Sequence, residues 1–353
     1  MRVLSVVGAR PQFVKLAPIA QALADSGDEH VIVHTGQHYD VAMSDVFFRD
    51  LNIPAPDVHL GVGSGTHGVQ TGAMLGALDP VLEDNRPDWV LVYGDTNSTI
   101  AAALSAVKLH IPLAHLEAGL RSFNRRMPEE HNRVLTDHAA DLCLAPTELA
   151  MSNLRAEGLE GRAVLTGDVM VDICLATARR VRDAPPSAPN GIRSGDYVLA
   201  TIHRAENTDD PERLRSIVSA LASLPHPVIL TAHPRLRAKA EHHGIDLRTG
   251  SLHIVDPLEY PAMVSAVTHA RAVVTDSGGL QKEAFLLRVP CTTIRTETEW
   301  TETLELHWNV LVEDLTMLAD IVNRDAPAST SATPYGDGQA AQPAAAPGGA
   351  GGD

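Results

Sequence analysis

Short runs rich in Val, Ile and Leu alternate along this chain with longer stretches of mixed apolar and polar positions. Unbroken short apolar runs predict strands buried on both faces, and the mixed stretches predict the helices that cover them, as in βα units of a parallel sheet. Val3–Val7, Val31–His34, Trp89–Tyr93 and Leu113–Leu116 read as strands of a first half. Tyr197–Ile202, Val228–Ala232, Leu252–Val255, Ala272–Thr275 and Cys291–Ile294 read as strands of a second. The expected fold class is α/β, with two Rossmann-like domains. Between the halves, Asp183-Ala184-Pro185-Pro186-Ser187-Ala188-Pro189-Asn190-Gly191 loses all apolar period and reads as an exposed connection near the domain boundary. From Ala326 onward Ala, Gly and Pro dominate, too few large side chains to offset the entropy of ordering. The expected domains are therefore 1–171 and 172–325, with 326–353 a largely disordered tail.

Composition narrows the class. A chain of 353 residues with 44% hydrophobic and 20% charged positions suits two or three globular domains and excludes a fibrous or mostly disordered protein. Its formal charge of -16 argues against holding nucleic acid through bulk phosphate attraction, so an anionic ligand must be caught by local cations. No apolar run reaches membrane-spanning length, and the opening apolar stretch is too short for a signal segment, so a cytoplasmic protein with no membrane partner is expected. Cys143, Cys174 and Cys291 are widely spaced, with no Cys-x-x-Cys pair, and read as small buried apolar residues. Neither His-Glu-x-x-His nor zinc-type Cys/His spacing occurs, so no metal site is expected.

Ligands of open α/β sheets bind beyond the carboxyl ends of the strands, which directs attention to the residues after each apolar run. After the first strand, Gly8-Ala9-Arg10-Pro11-Gln12-Phe13-Val14-Lys15 offers a turn, a helix start and two cations suited to a phosphate. Asp95 and Glu117 follow two further strands, and Glu129 and Glu130 open a helix behind Pro128. Clustered carboxylates can divide acid and base roles, although Asp95 also suits a helix N-cap and the glutamate pair suits a helix start. In the second half His203 and Arg204 follow one strand and His233 another, a pairing suited to a diphosphate. Asp276-Ser277-Gly278-Gly279 opens a helix whose backbone N–H groups could meet a phosphate, with Glu283 placed to accept from ribose hydroxyls. Gly63-Ser64-Gly65-Thr66-His67-Gly68 matches the dinucleotide fingerprint, but it does not follow the first strand of a βαβ unit and reads instead as a glycine loop over the cleft.

Taken in order, Gly8-Ala9-Arg10-Pro11, His34-Thr35-Gly36-Gln37-His38, Gly94-Asp95-Thr96, His115-Leu116-Glu117-Ala118-Gly119-Leu120-Arg121, Pro128-Glu129-Glu130, His203-Arg204-Ala205-Glu206-Asn207 and Asp276-Ser277-Gly278-Gly279 resemble the non-hydrolysing UDP-N-acetylglucosamine 2-epimerases. The resemblance runs over about the first 325 residues. It implies a glycosyltransferase-B-like fold with the active site in the interdomain cleft, a UDP-sugar substrate, a homodimer, and catalysis without NAD or metal, hence no cofactor. The reaction implied is interconversion of UDP-GlcNAc and UDP-ManNAc by elimination of UDP to 2-acetamidoglucal and its re-addition. By resemblance Asp95, Glu117 and Glu129 are the acid/base candidates, and His203 contacts the departing diphosphate or shuttles a proton. Arg10, Lys15, Arg204, Ser277, Gly278 and Gly279 would hold the phosphates, and Glu283 the ribose. Ala205 departs from the His-Arg-Arg-Glu-Asn of many members, and Thr298-Glu299-Trp300-Thr301-Glu302 departs from their Thr-Glu-Arg-Pro. The latter variant resembles epimerases acting on UDP-2,3-diacetamido-2,3-dideoxyglucuronate, which makes that sugar the rival substrate. A UDP-sugar glycosyltransferase is the rival of another class.

Overall fold

The computed structural model describes residues 1–37, 48, 51, 53–182 and 191–346. They form two compact units, the described residues of 1–173 together with 333–346, and those of 174–332. The first holds a seven-stranded parallel sheet of β1 (Arg2–Val7), β2 (Glu29–His34), β3 (Val58–His59), β4 (Trp89–Tyr93), β5 (Leu113–Leu116), β6 (Leu142–Ala145) and β7 (Ala163–Leu165). Their spatial order is β3-β2-β1-β4-β5-β6-β7, so the winding reverses between β1 and β4. A doubly wound sheet opens a crevice at such a reversal, beyond the carboxyl ends of the strands.

The second unit repeats the plan with β8 (Val198–Thr201), β9 (Val228–Thr231), β10 (Leu252–Val255), β11 (Ala272–Thr275), β12 (Cys291–Thr293) and β13 (Asn309–Leu311), in the order β10-β9-β8-β11-β12-β13. Alternation along its strands builds two cores. Val198, Ala200, Val228, Leu230 and Val274 face one layer of helices. Tyr197, Leu199, Ile229 and Val273 face the other. Each such Val, Leu or Ile, removed from water on a sheet covered on both faces, contributes about 1.5–3 kcal/mol.

Local chemistry explains the start of the first helix, Arg10–Ser26. Pro11 lies in its opening turn, where a missing N–H costs nothing. Gln12 Oε1 accepts from the N–H groups of Gly8 and Ala9 at 2.8 and 3.0 Å, while its Nε2 donates to the Tyr93 carbonyl at 2.9 Å. One side chain thereby ties the β1 turn to the end of β4. Gly8 is required there because an added Cβ would lie 1.9 Å from Thr35 Oγ1 and 2.4 Å from Ser98 Oγ.

The C-terminal segment departs from the expectation of a disordered tail at 326–353. Residues 333–346 belong with the first unit, where Tyr335 is completely buried and its carbonyl accepts from Asp168 N at 2.9 Å. Asp172 accepts from the N–H groups of Ala340 and Ala341 at 3.1 and 2.8 Å, supplying the helix start that alanines cannot. Composition misleads here because small residues permit close backbone approach: Gly167 and Gly336, both at positive φ, pack against each other. A single aromatic and one carboxylate then hold a segment with little apolar surface of its own. Residues 347–353, and the connection at Asp183–Gly191 apart from Gly191, lie outside the described residues.

Candidate active site

In the first unit the tips of β4 and β5 present Asp95 and Glu117 beside each other, because Tyr93 pairs with Leu116 and Gly94 N donates to the Leu116 carbonyl at 3.0 Å. Both tips turn sharply: Gly94 has φ 59° and Glu117 has φ 72°, a left-handed conformation that costs a side-chain-bearing residue about 1–2 kcal/mol. Glu117 Oε2 accepts from Lys15 Nζ, and both side chains are largely buried. A Cβ on Gly94 would sit 3.1 Å from Glu117 Oε2 and 3.3 Å from Lys15 Nζ, so the missing side chain makes room for the pair. Burial alone would lower the Lys15 pKa, yet Glu117, with Asp95 and Asp168 behind it, holds it above the ordinary lysine value.

Asp95 has its own cation. Arg133 donates to Asp95 Oδ2 through Nη2 at 2.5 Å and Nε at 3.1 Å, and its Nη1 reaches Glu130 Oε2 at 3.0 Å. Glu130 is buried and accepts from Ser122 N, Ser122 Oγ and Phe123 N. Burial would raise its pKa, but these bonds and Arg133 hold it below the ordinary glutamate value. Glu130 thus anchors the loop before the helix Pro128–Ala139, while Glu129 is half-buried and its side chain makes no hydrogen bond or ion pair among the described residues. Arg10 opens the first helix, next to the turn that Gln12 fixes. The Gly63–Gly68 stretch leads into the helix His67–Asn85 and is tied to it by Gln70 Nε2, which donates to the Gly63 carbonyl at 2.7 Å.

Beneath β5 lies a chain of buried charges. His115 Nδ1 is 2.6 Å from Asp137 Oδ1 and His115 Nε2 is 2.8 Å from the Gly94 carbonyl. Asp137 Oδ2 also accepts from Gly119 N at 3.0 Å and Arg121 Nη1 at 2.7 Å, and Arg121 forks onto Glu157 at 2.7 and 2.8 Å.

In the second unit Asp276, completely buried at the end of β11, organises the tip of β8. Its carboxylate accepts from His203 N at 3.1 Å, Arg204 N at 3.0 Å and Asn207 Nδ2 at 3.1 Å, and His203 Nδ1 lies 3.0 Å away. Burial would raise the Asp276 pKa, but His203 and the neighbouring donors hold it below the ordinary aspartate value. This fixes the His203 ring with Nδ1 toward Asp276 and leaves Nε2 as the nitrogen that can meet a ligand oxygen. The ring stacks obliquely 5.9 Å from His233. Ser277 caps the helix Gly278–Leu286. Gly278 lacks a Cβ where Glu299 Oε1 comes close, and Gly279 is exposed with open space around it. Glu283 is buried one and a half turns along. Trp300 carries Lys282 Nζ 4.1 Å over its ring.

The structure therefore brings Asp95, Glu117 and Lys15 together in the first unit, and His203, Arg204, Ser277, Gly278 and Gly279 around Asp276 in the second. Sequence spacing missed Arg133, His115, Asp137 and Asp168. Only Arg133 left a signal, one helical turn beyond Glu129 on the same face.

Two doubly wound units with polar strand tips define a glycosyltransferase-B-like α/β protein. Comparison with known proteins specifies it further: residues 21–346 match the family model described as UDP-N-acetylglucosamine 2-epimerase. The chain is 47% identical over 347 residues to the UDP-2,3-diacetamido-2,3-dideoxy-D-glucuronate 2-epimerase of Pseudomonas aeruginosa, covering 96% of this chain and 95% of that one. It is 42% identical to the UDP-N-acetylglucosamine 2-epimerase of Methanocaldococcus jannaschii, covering 89% of each. A crystal structure of the M. jannaschii enzyme in complex with UDP-GlcNAc and UDP superposes with a TM-score of 0.84 at 38% identity, covering 98% of both chains. The Neisseria meningitidis enzyme bound to UDP-GlcNAc also gives 0.84, at 28% identity and 98% coverage of both. This chain belongs to the UDP-N-acetylglucosamine 2-epimerase family and is an isomerase.

Proposed function

We propose that this enzyme interconverts UDP-GlcNAc and UDP-ManNAc without consuming a cofactor. The observation that carries this reading is the pair of carboxylates at adjacent strand tips, Asp95 with Arg133 and Glu117 with Lys15. Inversion at C2 needs a base on one face of the sugar and an acid on the other, and two fixed carboxylates provide both. A carboxylate of the set Asp95, Glu117 and Glu129 removes the C2 proton. The C2–H electron pair forms the C1=C2 bond of 2-acetamidoglucal as the C1–O bond breaks toward the diphosphate. UDP then adds back at C1 while C2 is protonated on the opposite face, so atoms and charge balance over the cycle.

The leaving diphosphate is the part assigned to the second unit. Backbone N–H groups at Gly278 and Gly279 and the side chain of Ser277 suit an anion at a helix N-terminus. His203, oriented by Asp276, can donate from Nε2 to a departing phosphate oxygen, and Arg204, the next residue, adds positive charge. Lys15 is engaged by Glu117, so its part in phosphate binding requires that ion pair to be shared. Glu283 remains the ribose candidate.

A second reading, UDP-2,3-diacetamido-2,3-dideoxyglucuronate as substrate, is favoured by the 47% identity to the P. aeruginosa enzyme of that activity and by Trp300. Measuring kcat/KM side by side on the two UDP-sugars decides. The first reading predicts at least about 10-fold preference for UDP-GlcNAc, the range of one well-placed contact. A preference of that size for the diacetamido-uronate would replace it with the second. We also infer a cytoplasmic location and a homodimer, the latter checked by sedimentation of the purified chain. Among the described residues no helix is long and apolar enough to cross a membrane.

A further inference from the structure

His115 is wholly buried, and its two nitrogens face two acceptors. The Gly94 carbonyl can only accept, so Nε2 must carry a hydrogen. Asp137 already accepts from Gly119 N and Arg121, and His115 and Arg121 hold its carboxyl below the ordinary aspartate value against the opposing effect of burial. An ionised carboxylate can only accept, so Nδ1 must carry a hydrogen as well. A charge buried in this way is costly unless paired, and the pairing is complete: Glu157, Arg121, Asp137 and His115 alternate in sign along one chain. Other polar groups facing this chain are His138, whose Nε2 lies 3.1 Å from Glu157 Oε2, Cys143, whose Sγ lies 3.5 Å from the Asp137 carbonyl, and Arg162, whose Nη1 donates to the Ala140 carbonyl.

Two members of this chain, His115 and Asp137, grip backbone groups one or two residues from a candidate acid or base. His115 Nε2 holds the carbonyl of Gly94, the residue before Asp95. Asp137 holds the N–H of Gly119, two residues beyond Glu117, and His115 itself lies two residues before it on β5. Gly94, Glu117 and Gly119 all have positive φ, and of these Glu117 carries a side chain, so its left-handed conformation costs energy to maintain.

We propose that His115 is a positioning residue in imidazolium form, which with Asp137 and Arg121 locks the tips of β4 and β5 and so fixes Asp95 and Glu117 relative to each other. This rests on the acid/base reading of those two carboxylates, but the protonation of His115 can be tested without it. The full-length chain labelled with 15N-histidine, with the His115 signals assigned by their loss in His115→Gln, should show hydrogen on both ring nitrogens under the conditions of the activity assay. A neutral His115 ring under those conditions overturns the proposal, and this readout needs no variant to be active.

Kinetics supply the second arm, with whichever of the two UDP-sugars is turned over. His115→Ala should lower kcat about 10- to 100-fold, the cost of misplacing reacting groups by around an ångström, with KM changed less than about 3-fold. His115→Gln, which restores an N–H toward the Gly94 carbonyl, should recover part of the loss. Equal losses in the two variants, or a loss carried by KM, overturn the positioning role. Wild-type turnover in Glu117→Gln would instead remove the acid/base reading while leaving the protonation result standing.

Discussion

His30 shows how a residue outside the site governs the response of the fold to acid. Its Nε2 lies 2.8 Å from Ser5 Oγ, which lies 2.7 Å from the buried Tyr93 hydroxyl, so β1, β2 and β4 share one hydrogen-bonded line. Burial pushes its pKa down from 6.5 to about 4, only partly opposed by Asp57. The unfolded chain therefore takes up a proton at a pH where the native state does not. The stabilisation is fully present above pH 6.5 and is lost as pH falls toward 4, on the order of 3 kcal/mol. Denaturant unfolding of the wild type against His30→Gln checks this, and the variant should lose most of the decline between pH 6.5 and 4. An unchanged pH dependence would place the acid sensitivity elsewhere. None of this is visible in the sequence, where His30 is one of 17 scattered histidines.

At the scale of elements, legibility followed burial. β1, β4, β8, β9 and β11 show as dominantly apolar runs because each is covered on both faces, whereas β10 lies at a sheet edge with His253 exposed and β12 is Cys-Thr-Thr. β3, β7 and β13 have two or three residues at sheet edges, too short to carry a pattern, and β6 is Leu-Cys-Leu-Ala, with no β-branched residue. The candidate residues after strands were legible for the same reason, since a strand end fixes where its polar successor stands. Their partners were not: Lys15 and Glu117 are 102 positions apart, and Arg133 and Asp95 are 38. Glycines divide likewise by environment. A Cβ on Gly119, at φ 82°, would lie 2.4 Å from the backbone carbonyl of Ala150, whereas one on Gly76 in the helix His67–Asn85 meets nothing. Gly119→Ala should cost at least about 2 kcal/mol of stability, while Gly76→Ala should be neutral or gain about 0.5–1 kcal/mol. Chemical denaturation of the two variants reads the contrast, and similar values would contradict the packing described around Gly119.

The whole molecule is two repeats of one plan with different contents: carboxylates and their cations in the first unit, and a histidine, an arginine and a glycine-opened helix in the second. The last described residues belong to the first unit, so its stability depends on chain that follows the second. Tyr335→Ala, which empties a completely buried aromatic site, should cost about 3–5 kcal/mol. A change below about 0.5 kcal/mol in thermal or denaturant unfolding would mean the segment contributes no packing. The central claim concerns chemistry at one carbon, and incubating the enzyme with UDP-GlcNAc alone in deuterated water tests it most directly. The account predicts deuterium at C2 of the recovered sugar nucleotide, slowed on the order of 100-fold or more in Asp95→Asn and Glu117→Gln. Recovered sugar with no label at C2, from enzyme that still binds UDP, would contradict it.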